Sequence, residues 1–430
     1  MTNKDITMAD YIHQHCENSM SNALTSVRYT TWERQCPEFS DTEFVYMGLL
    51  RCITSVDSGR HFIQNADELL NEAYPLSTYF NATHSTRRRD MLKDVSMQSY
   101  KLLCAEAEAL EIDYLKEFSE LDAYDVEATD GHFIAHACHT PKNENNKVFA
   151  AGSVYAMNLR TGFLNPLCNV TNGTNRNHEI PCFKDWVEKE YNKKGSARNK
   201  LYIYDRAAVD YAWWENQRKR SIYMISILKE NAIISFVKLL DFDKNDTVNA
   251  GIVAYELFCK GNATFAVVTY VDPETGSELK FVSTLPASIK PGTIAMLYYK
   301  RWTIEKAFNN SKSDLKATKA WSSDLTTLDS QMRLTAMAYN LMRLFEEKSK
   351  KHDPALIHPA EIKYQKALLK RDKTAKNNGK FVNPLHFRER IARISSSTIR
   401  AVKNAILGNF SFSAFMERLI AKLILRPIIN

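Results

Sequence analysis

The residues best placed for chemistry lie in one run, Tyr298-Tyr-Lys-Arg301-Trp-Thr-Ile-Glu305-Lys-Ala-Phe-Asn-Asn-Ser-Lys312. On a helix turning about 100° per residue, Tyr298, Arg301, Glu305 and Lys312 fall within roughly 60° of one another. They form one polar stripe, and Leu297, Ile304, Phe308 and Leu315 form an apolar ridge directly beside it. A polar face that borders the core is the kind of face that lines a cleft. Arg301 offers a planar fork suited to phosphate oxygens, Lys312 a point charge, Tyr298 a hydroxyl and Glu305 a carboxylate. A simpler reading stays open beside this one: Arg301 and Glu305 as a solvated i, i+4 pair contributing roughly a few tenths of a kcal/mol.

The full spacing, Tyr-x2-Arg-x3-Glu-x6-Lys, resembles the signature of the IS4-type DDE transposases. The resemblance extends from about Val126 to Phe345, and Phe281-Val-Ser-Thr-Leu-Pro286 leads from a β-rich stretch into the signature helix as it does in that family. It implies an α/β fold with an RNase H-like catalytic core, in which two aspartates and the helix glutamate hold two divalent metal ions. Mg²⁺ is the expected ion, with Mn²⁺ as a substitute, because a hard cation prefers oxygen ligands and two such ions serve both the attacking and the leaving oxygen. The signature's Tyr298, Arg301 and Lys312 are then expected to hold DNA phosphates. Trp302, next to the stripe, would stack on an unpaired base or else be a core tryptophan.

The second aspartate of the family ends a strand and is followed by Arg, which matches Asp205-Arg206 after Leu201-Tyr-Ile-Tyr. Arg206 therefore joins the expected DNA contacts. Asp210 is the rival, readable also as a first-turn helix charge. The first aspartate sits on a strand as Asp-Gly, which Asp130-Gly131 fits, with a hairpin turn, Asp122 or Asp125 as alternatives. Where the family often has Ser or Thr after the glycine, this chain has His132. The expected catalytic and metal-binding set is thus Asp130, Asp205 and Glu305.

These residues must be positioned by elements of several kinds. The stretch from 8 to 120 shows helical spacing, as in Phe44, Met47, Leu50 and Ile53, and reads as a helical DNA-binding region, 1–120. Strand patterns begin near Tyr124, and the RNase H-like core is assigned to 121–232 and 287–345. Residues 233–286 read as a β-rich insertion, with Thr264 to Val271 and Leu279 to Thr284 forming a hairpin about Asp272 to Gly276. Residues 346–430 read as a basic helical region, with Lys370 to Lys380 as a flexible loop. Within the helical region the cluster Arg87-Arg88-Arg89 is open to two readings, a DNA-gripping patch or a solvated loop.

Composition narrows the function classes. At 430 residues, 44% hydrophobic and 25% charged, the chain is an ordinary globular protein of several domains. Residues 341 to 430 hold 19 Lys or Arg against 7 Asp or Glu, a net +12, so residues 1 to 340 carry −5 of the total +7. That asymmetry suits a polyanion-facing surface beside a carboxylate site. No Walker A loop, HExxH or GxSxG element is present, which argues against NTPase, zinc protease and α/β-hydrolase chemistry. His132, His136 and His139 do not share one strand face, and the eight cysteines have no CxxC pair or regular spacing, so neither a zinc site nor a disulfide framework is indicated. A reducing, cytoplasmic setting without membrane insertion is expected, with the protein on the nucleoid when it binds DNA.

The resemblance implies metal-dependent cleavage of transposon ends and strand transfer to target DNA. The expected partners are double-stranded DNA, as terminal inverted repeats and as target, and a second copy of the chain in a homodimeric synaptic complex. Two rivals share the fold: a transposase-derived DNA-binding protein that no longer cuts, and a metal nuclease that does not transpose.

Overall fold

The computed structural model describes residues 39–54, 58–63, 74–134, 151–171, 179–192, 199–205, 209–272, 276–313, 315, 319–352 and 359–378. Helices α1 (Asp41–Thr54), α2 (Leu76–Thr83) and α3 (Thr86–Ala109) precede the sheet. Strands β1 (Tyr124–Ile134), β2 (Ala151–Asn158) and β3 (Leu164–Thr171) lead to α4 (Glu179–Asn192), and β4 (Asn199–Ile203), α5 (Tyr211–Arg218) and β5 (Ile222–Ile227) follow. After them come β6 (Ser235–Leu239), β7 (Ile252–Lys260), β8 (Ala263–Val271), β9 (Glu278–Ser283), α6 (Pro291–Ser313), α7 (Leu325–His352) and α8 (Pro359–Asn377).

All nine strands belong to one sheet, in the order β3-β2-β1-β4-β5-β9-β8-β7-β6. β2 runs antiparallel to both β1 and β3, while β1, β4 and β5 are mutually parallel. This mixed α/β half is the arrangement expected of an RNase H-like core. The β-rich stretch continues the same sheet, because β9 pairs antiparallel with β5. Gly162 and Gly276 lie in the β2–β3 and β8–β9 turns with φ of 77° and 73°, a region open to glycine without a steric cost.

Side chains alternate between two cores, as the period of two requires. Tyr155, Met157, Leu201, Ile203 and Val268 face the larger core under α1, α3, α6 and α7. Val154, Ala156, Tyr202, Tyr204 and Val267 face the smaller one, filled by Phe183 and Val187 of α4 and Trp214 of α5. Strands β4 and β8, buried on both faces over most of their length, are accordingly apolar runs, whereas β6 is exposed throughout.

The first three helices dock on α7. A Cβ on Gly48 would lie 2.4 Å from Leu334 Cδ1, so α1 and α7 meet closely there. Arg87 and Arg88 open α3 and both bond Asp41 of α1, at 2.6 and 3.0 Å, with Arg88 and Asp41 buried. Neither reading of the arginine cluster survives for these two residues: they are internal counter-ions to a buried carboxylate. Arg51 is likewise buried, 4.0 Å from the Trp321 ring.

Two further expectations are corrected. The stretch read as a flexible loop from Lys370 is helical through Asn377, with Asn378 still donating to the Thr374 carbonyl at 3.2 Å. Its Lys and Asn residues are compatible with a helix. Cys168 of β3 and Cys182 of α4 are disulfide-bonded, their Cα atoms 6.5 Å apart. Their separation of 14 residues matches no motif, so only the fold reveals the pair. Among the described residues no helix is long and apolar enough to cross a membrane. Arg206, His136, His139 and the apolar stretch around Phe412 lie outside the described residues.

Candidate active site

Asp130 projects from β1 near its end, opposite Tyr155 of β2. β1 and β4 are parallel, with Ala128 level with Ile203, and continuing that register brings Asp205, just past β4, level with Asp130. Neighbouring strands lie about 4.8 Å apart, so the two aspartates occupy adjacent positions toward the C-terminal ends of two neighbouring interior strands. Asp205 is exposed there. Asp122 is exposed at the end of a short 3-10 turn, and Asp125 pairs with Lys200 at 2.9 Å. Asp210 caps α5, accepting the Trp213 amide at 3.1 Å, and bonds Lys184 at 2.6 Å. Asp125 and Asp210 therefore have ordinary structural tasks, and Asp122 precedes β1, at the opposite end of that strand from Asp130.

The third element is α6, which packs across β1. Its entry is fixed by Gly292, where a Cβ would lie 1.8 Å from the Val248 carbonyl oxygen. The Gly292 amide donates to Asn249 Oδ1 at 2.9 Å, tying the helix to the insertion. Ile294 through Tyr298 are all buried, so the helix starts inside the protein and emerges toward its C-terminal half. The apolar ridge of Leu297, Ile304, Phe308 and Leu315 is buried as its spacing requires.

The polar stripe behaves differently along its length. Arg301, 5% exposed, donates from Nη1 to Asp130 Oδ2 at 3.2 Å and from Nη2 to Glu305 Oε1 at 2.9 Å. One guanidinium thus joins the strand carboxylate to the helix carboxylate. Its buried Nε has no hydrogen-bond partner among the described residues. Tyr298 is buried against Phe281, with ring centroids 5.0 Å apart, and its ring lies 5.6 Å from the Arg301 guanidinium carbon. Lys312 is half-buried, whereas Trp302 is exposed, which removes the core reading of that indole. The Arg301–Glu305 contact is the i, i+4 pair of the simpler reading, with the guanidinium buried and the Glu305 carboxylate half-exposed.

His132 stacks on Phe308 of α6, with centroids 4.7 Å apart and planes inclined by 17°. It therefore clamps α6 to the strand that carries Asp130. Burial holds its imidazole down to about 4, with the Lys312 charge adding to the effect, so the ring is neutral at pH 7. A small cavity lined by His132, Ser153, Gln331 and Thr335 adjoins it.

One carboxylate in this region has no counterpart in the expected set. Glu179 opens α4, and both its oxygens approach Gly131, at 2.8 and 3.2 Å from where a Cβ would stand. Its carboxyl accepts from the Gly131 amide and interacts with Asp130 and Asp205. Burial first, and Asp130 second, raise Glu179 above the ordinary carboxylate range. Asp130 is raised too, by burial above all, with Arg301 and the Gly131 amide opposing and Glu305 and Asp205 adding repulsion. No spacing rule links Glu179 to the signature; the only signal in the sequence is an acid in a helix's first turn, a common feature.

Among the described residues no three His, Cys, Asp or Glu side chains converge as a ready-made metal cage. Arg301 stands between two of the carboxylates instead. The donor chemistry nonetheless fits a hard divalent cation, being all carboxylate and held close enough for mutual repulsion to matter.

The family model described as Transposase DDE domain matches residues 121–341, just over half of the chain. The matched segment begins just before β1 and ends within α7, so it contains Asp130, Asp205 and the whole of α6. A comparison with curated proteins found no match.

Proposed function

The chain belongs to the transposase DDE domain family, and from that premise we propose that it is an IS4-type transposase that cuts transposon-end DNA and joins the freed ends to target DNA. The family gives a transposase function in general and the use of divalent metal ions. The finer reading rests chiefly on one observation: Arg301 of the signature helix donates both to Asp130 of β1 and to Glu305 on its own helix. Arg301 and Asp130, 171 positions apart in the sequence, are thereby in direct contact.

In this reading Asp130, Asp205 and Glu305 hold Mg²⁺, with Mn²⁺ able to replace it. Bound there, divalent cations activate water and stabilise the leaving oxygen in phosphodiester cleavage. Arg301 supplies donors beside those carboxylates. Tyr298 supports the guanidinium from its ring face. Lys312 lies a further two turns along the helix as a positive charge for the adjacent backbone. The exposed Trp302 offers a stacking surface for an unpaired base. The 3′-hydroxyl released by cleavage would then attack a target phosphodiester, forming a new oxygen–phosphorus bond as the target's own 3′-oxygen leaves and takes up a proton.

The regions around the core take supporting parts. Residues 121–232 and 287–345 form the catalytic core and 233–286 its insertion. Residues 1–120 and 346–430 hold DNA, the latter through side chains such as Lys366, Lys370, Lys373 and Lys376, which are exposed on α8. Two copies act on two DNA ends. The test is cleavage of DNA carrying the element's terminal inverted repeats in the presence of Mg²⁺. Wild-type protein cuts it, and Glu305→Ala protein loses cutting while retaining DNA binding. Cutting by Glu305→Ala at the wild-type rate would refute the assignment, and joined donor and target DNA separates a transposase from a nuclease.

A further inference from the structure

We propose that Glu179 is a fourth carboxylate of the metal site, supplying negative charge beside Asp130. The inference rests on the metal-dependent reading above and adds to it a residue that the signature does not contain. Its basis is the position of Gly131. The Glu179 carboxyl carbon lies 2.9 Å from where a Cβ on Gly131 would be, and its oxygens at 2.8 and 3.2 Å. Any side chain at 131 would push this carboxylate away, so the glycine after Asp130 serves as the floor on which Glu179 rests.

The Gly131 amide joins the two acids. It donates to Asp130 Oδ1 at 2.9 Å and also to Glu179. The Asp130 and Glu179 carboxylates thus both border the Gly131 backbone. Asp205 lies in the same neighbourhood, interacting with both. Arg301 bonds Asp130 and Glu305, so one guanidinium faces a group of four carboxylates. Excess negative charge gathered on a shared scaffold is what a divalent cation relieves. Helix α4 enters on Glu179 itself, and the disulfide from Cys182, one turn later, to Cys168 of β3 holds that first turn against the sheet.

The test is a calorimetric titration of the full-length protein with Mn²⁺ in the absence of DNA. Glu179→Gln keeps the size and the acceptor but removes the charge, and is expected to weaken Mn²⁺ binding by about tenfold with an unchanged melting temperature. Glu179→Asp is expected to recover part of the loss. Gly131→Ala, which displaces the Glu179 carboxylate without altering it, is expected to weaken binding as well. Asp130→Asn serves as the reference for the reading beneath. If Asp130→Asn loses Mn²⁺ while Glu179→Gln binds as wild type does, the role of Glu179 is overturned and the metal site stands. If wild-type protein takes up no Mn²⁺, both are overturned.

Discussion

Arg301 reaches Asp130 across 171 residues of sequence with a 3.2 Å hydrogen bond from Nη1 to Oδ2, while its other terminal nitrogen holds Glu305. The guanidinium therefore does two things a lysine cannot do together: it spans two carboxylates in one plane, and it stays charged when buried. The surrounding acids and Tyr298 raise its proton affinity further, overcoming the burial that opposes it. Arg301→Lys is expected to lower cleavage at saturating Mg²⁺ by at least about tenfold, because a point charge cannot replace the fork. Arg301→Ala leaves Asp130 and Glu305 uncompensated, and since Glu305 is half-exposed the cost to stability is about 1–3 kcal/mol, below that of a fully buried pair. Urea unfolding of the two variants beside cleavage rates checks both statements. A wild-type cleavage rate for Arg301→Lys would show that the fork is unnecessary.

Acid sensitivity should centre on a different residue. Asp41 is 1% exposed, and although burial by itself would raise its carboxyl, the hydrogen bonds and charges of Arg87 and Arg88 hold it below the ordinary value. The folded state therefore binds this proton less readily than the unfolded chain. Its stabilising contribution is complete above the unfolded carboxyl value and is lost as pH falls through the lower folded one. Asp41→Asn is expected to cost about 3 kcal/mol at pH 7, since it leaves the buried Arg88 unpaired. The difference in stability between wild type and Asp41→Asn should shrink as acid is added. Thermal melts of both proteins at successive pH values measure it, and a constant difference down to strong acid would contradict the assignment.

How legible each part was depended on how local its cause is. The signature helix was legible because one face of a helix is set by spacing alone, and the place of Asp205 just past a strand because an apolar run precedes it. Arg87 and Arg88 were misread because what decides them is Asp41, 46 and 47 residues earlier and buried beneath them. The β-rich stretch was seen as strands, yet its continuity with the core sheet depends on β9 choosing β5 as a neighbour. Pattern along the chain carries no information about which edge a strand joins. Glu179 went unseen for the same reason: only the parallel packing of β1 and the entry of α4 set it beside Gly131. His132, which departs from the Ser or Thr usual after the glycine, is explained by its stack on Phe308.

The two aspartates following β4 should separate cleanly. Asp210 is an N-cap whose carboxylate accepts the Trp213 amide and bonds Lys184. Asp210→Ala is expected to lose about 1 kcal/mol of stability and keep cleavage near wild type. Asp205 is exposed and in the neighbourhood of Asp130 and Arg301, so Asp205→Ala is expected to keep stability and abolish cleavage. Measuring melting temperature and cleavage for both variants gives opposite patterns. The reverse result would transfer the catalytic role to Asp210.

The uneven charge of the chain leads to a prediction about DNA affinity. The net +12 of residues 341 to 430 includes Lys366, Lys370, Lys373 and Lys376, all exposed on α8. At about 100° per residue, Lys366, Lys370 and Lys373 lie within roughly 60° of one another, so a duplex along that face meets several ammonium groups together. Each phosphate contact releases condensed counterions, and removing one lowers the slope of log affinity against log salt by about one. Replacing Lys366, Lys370 and Lys373 with Gln is therefore expected to reduce that slope by about three and to weaken binding uniformly across DNA sequences. Cleavage per bound complex should remain at the wild-type rate, because none of the three belongs to the carboxylate site. Fluorescence anisotropy with labelled duplexes at several salt concentrations reads the slope directly. An unchanged slope would place the DNA on another face of the protein.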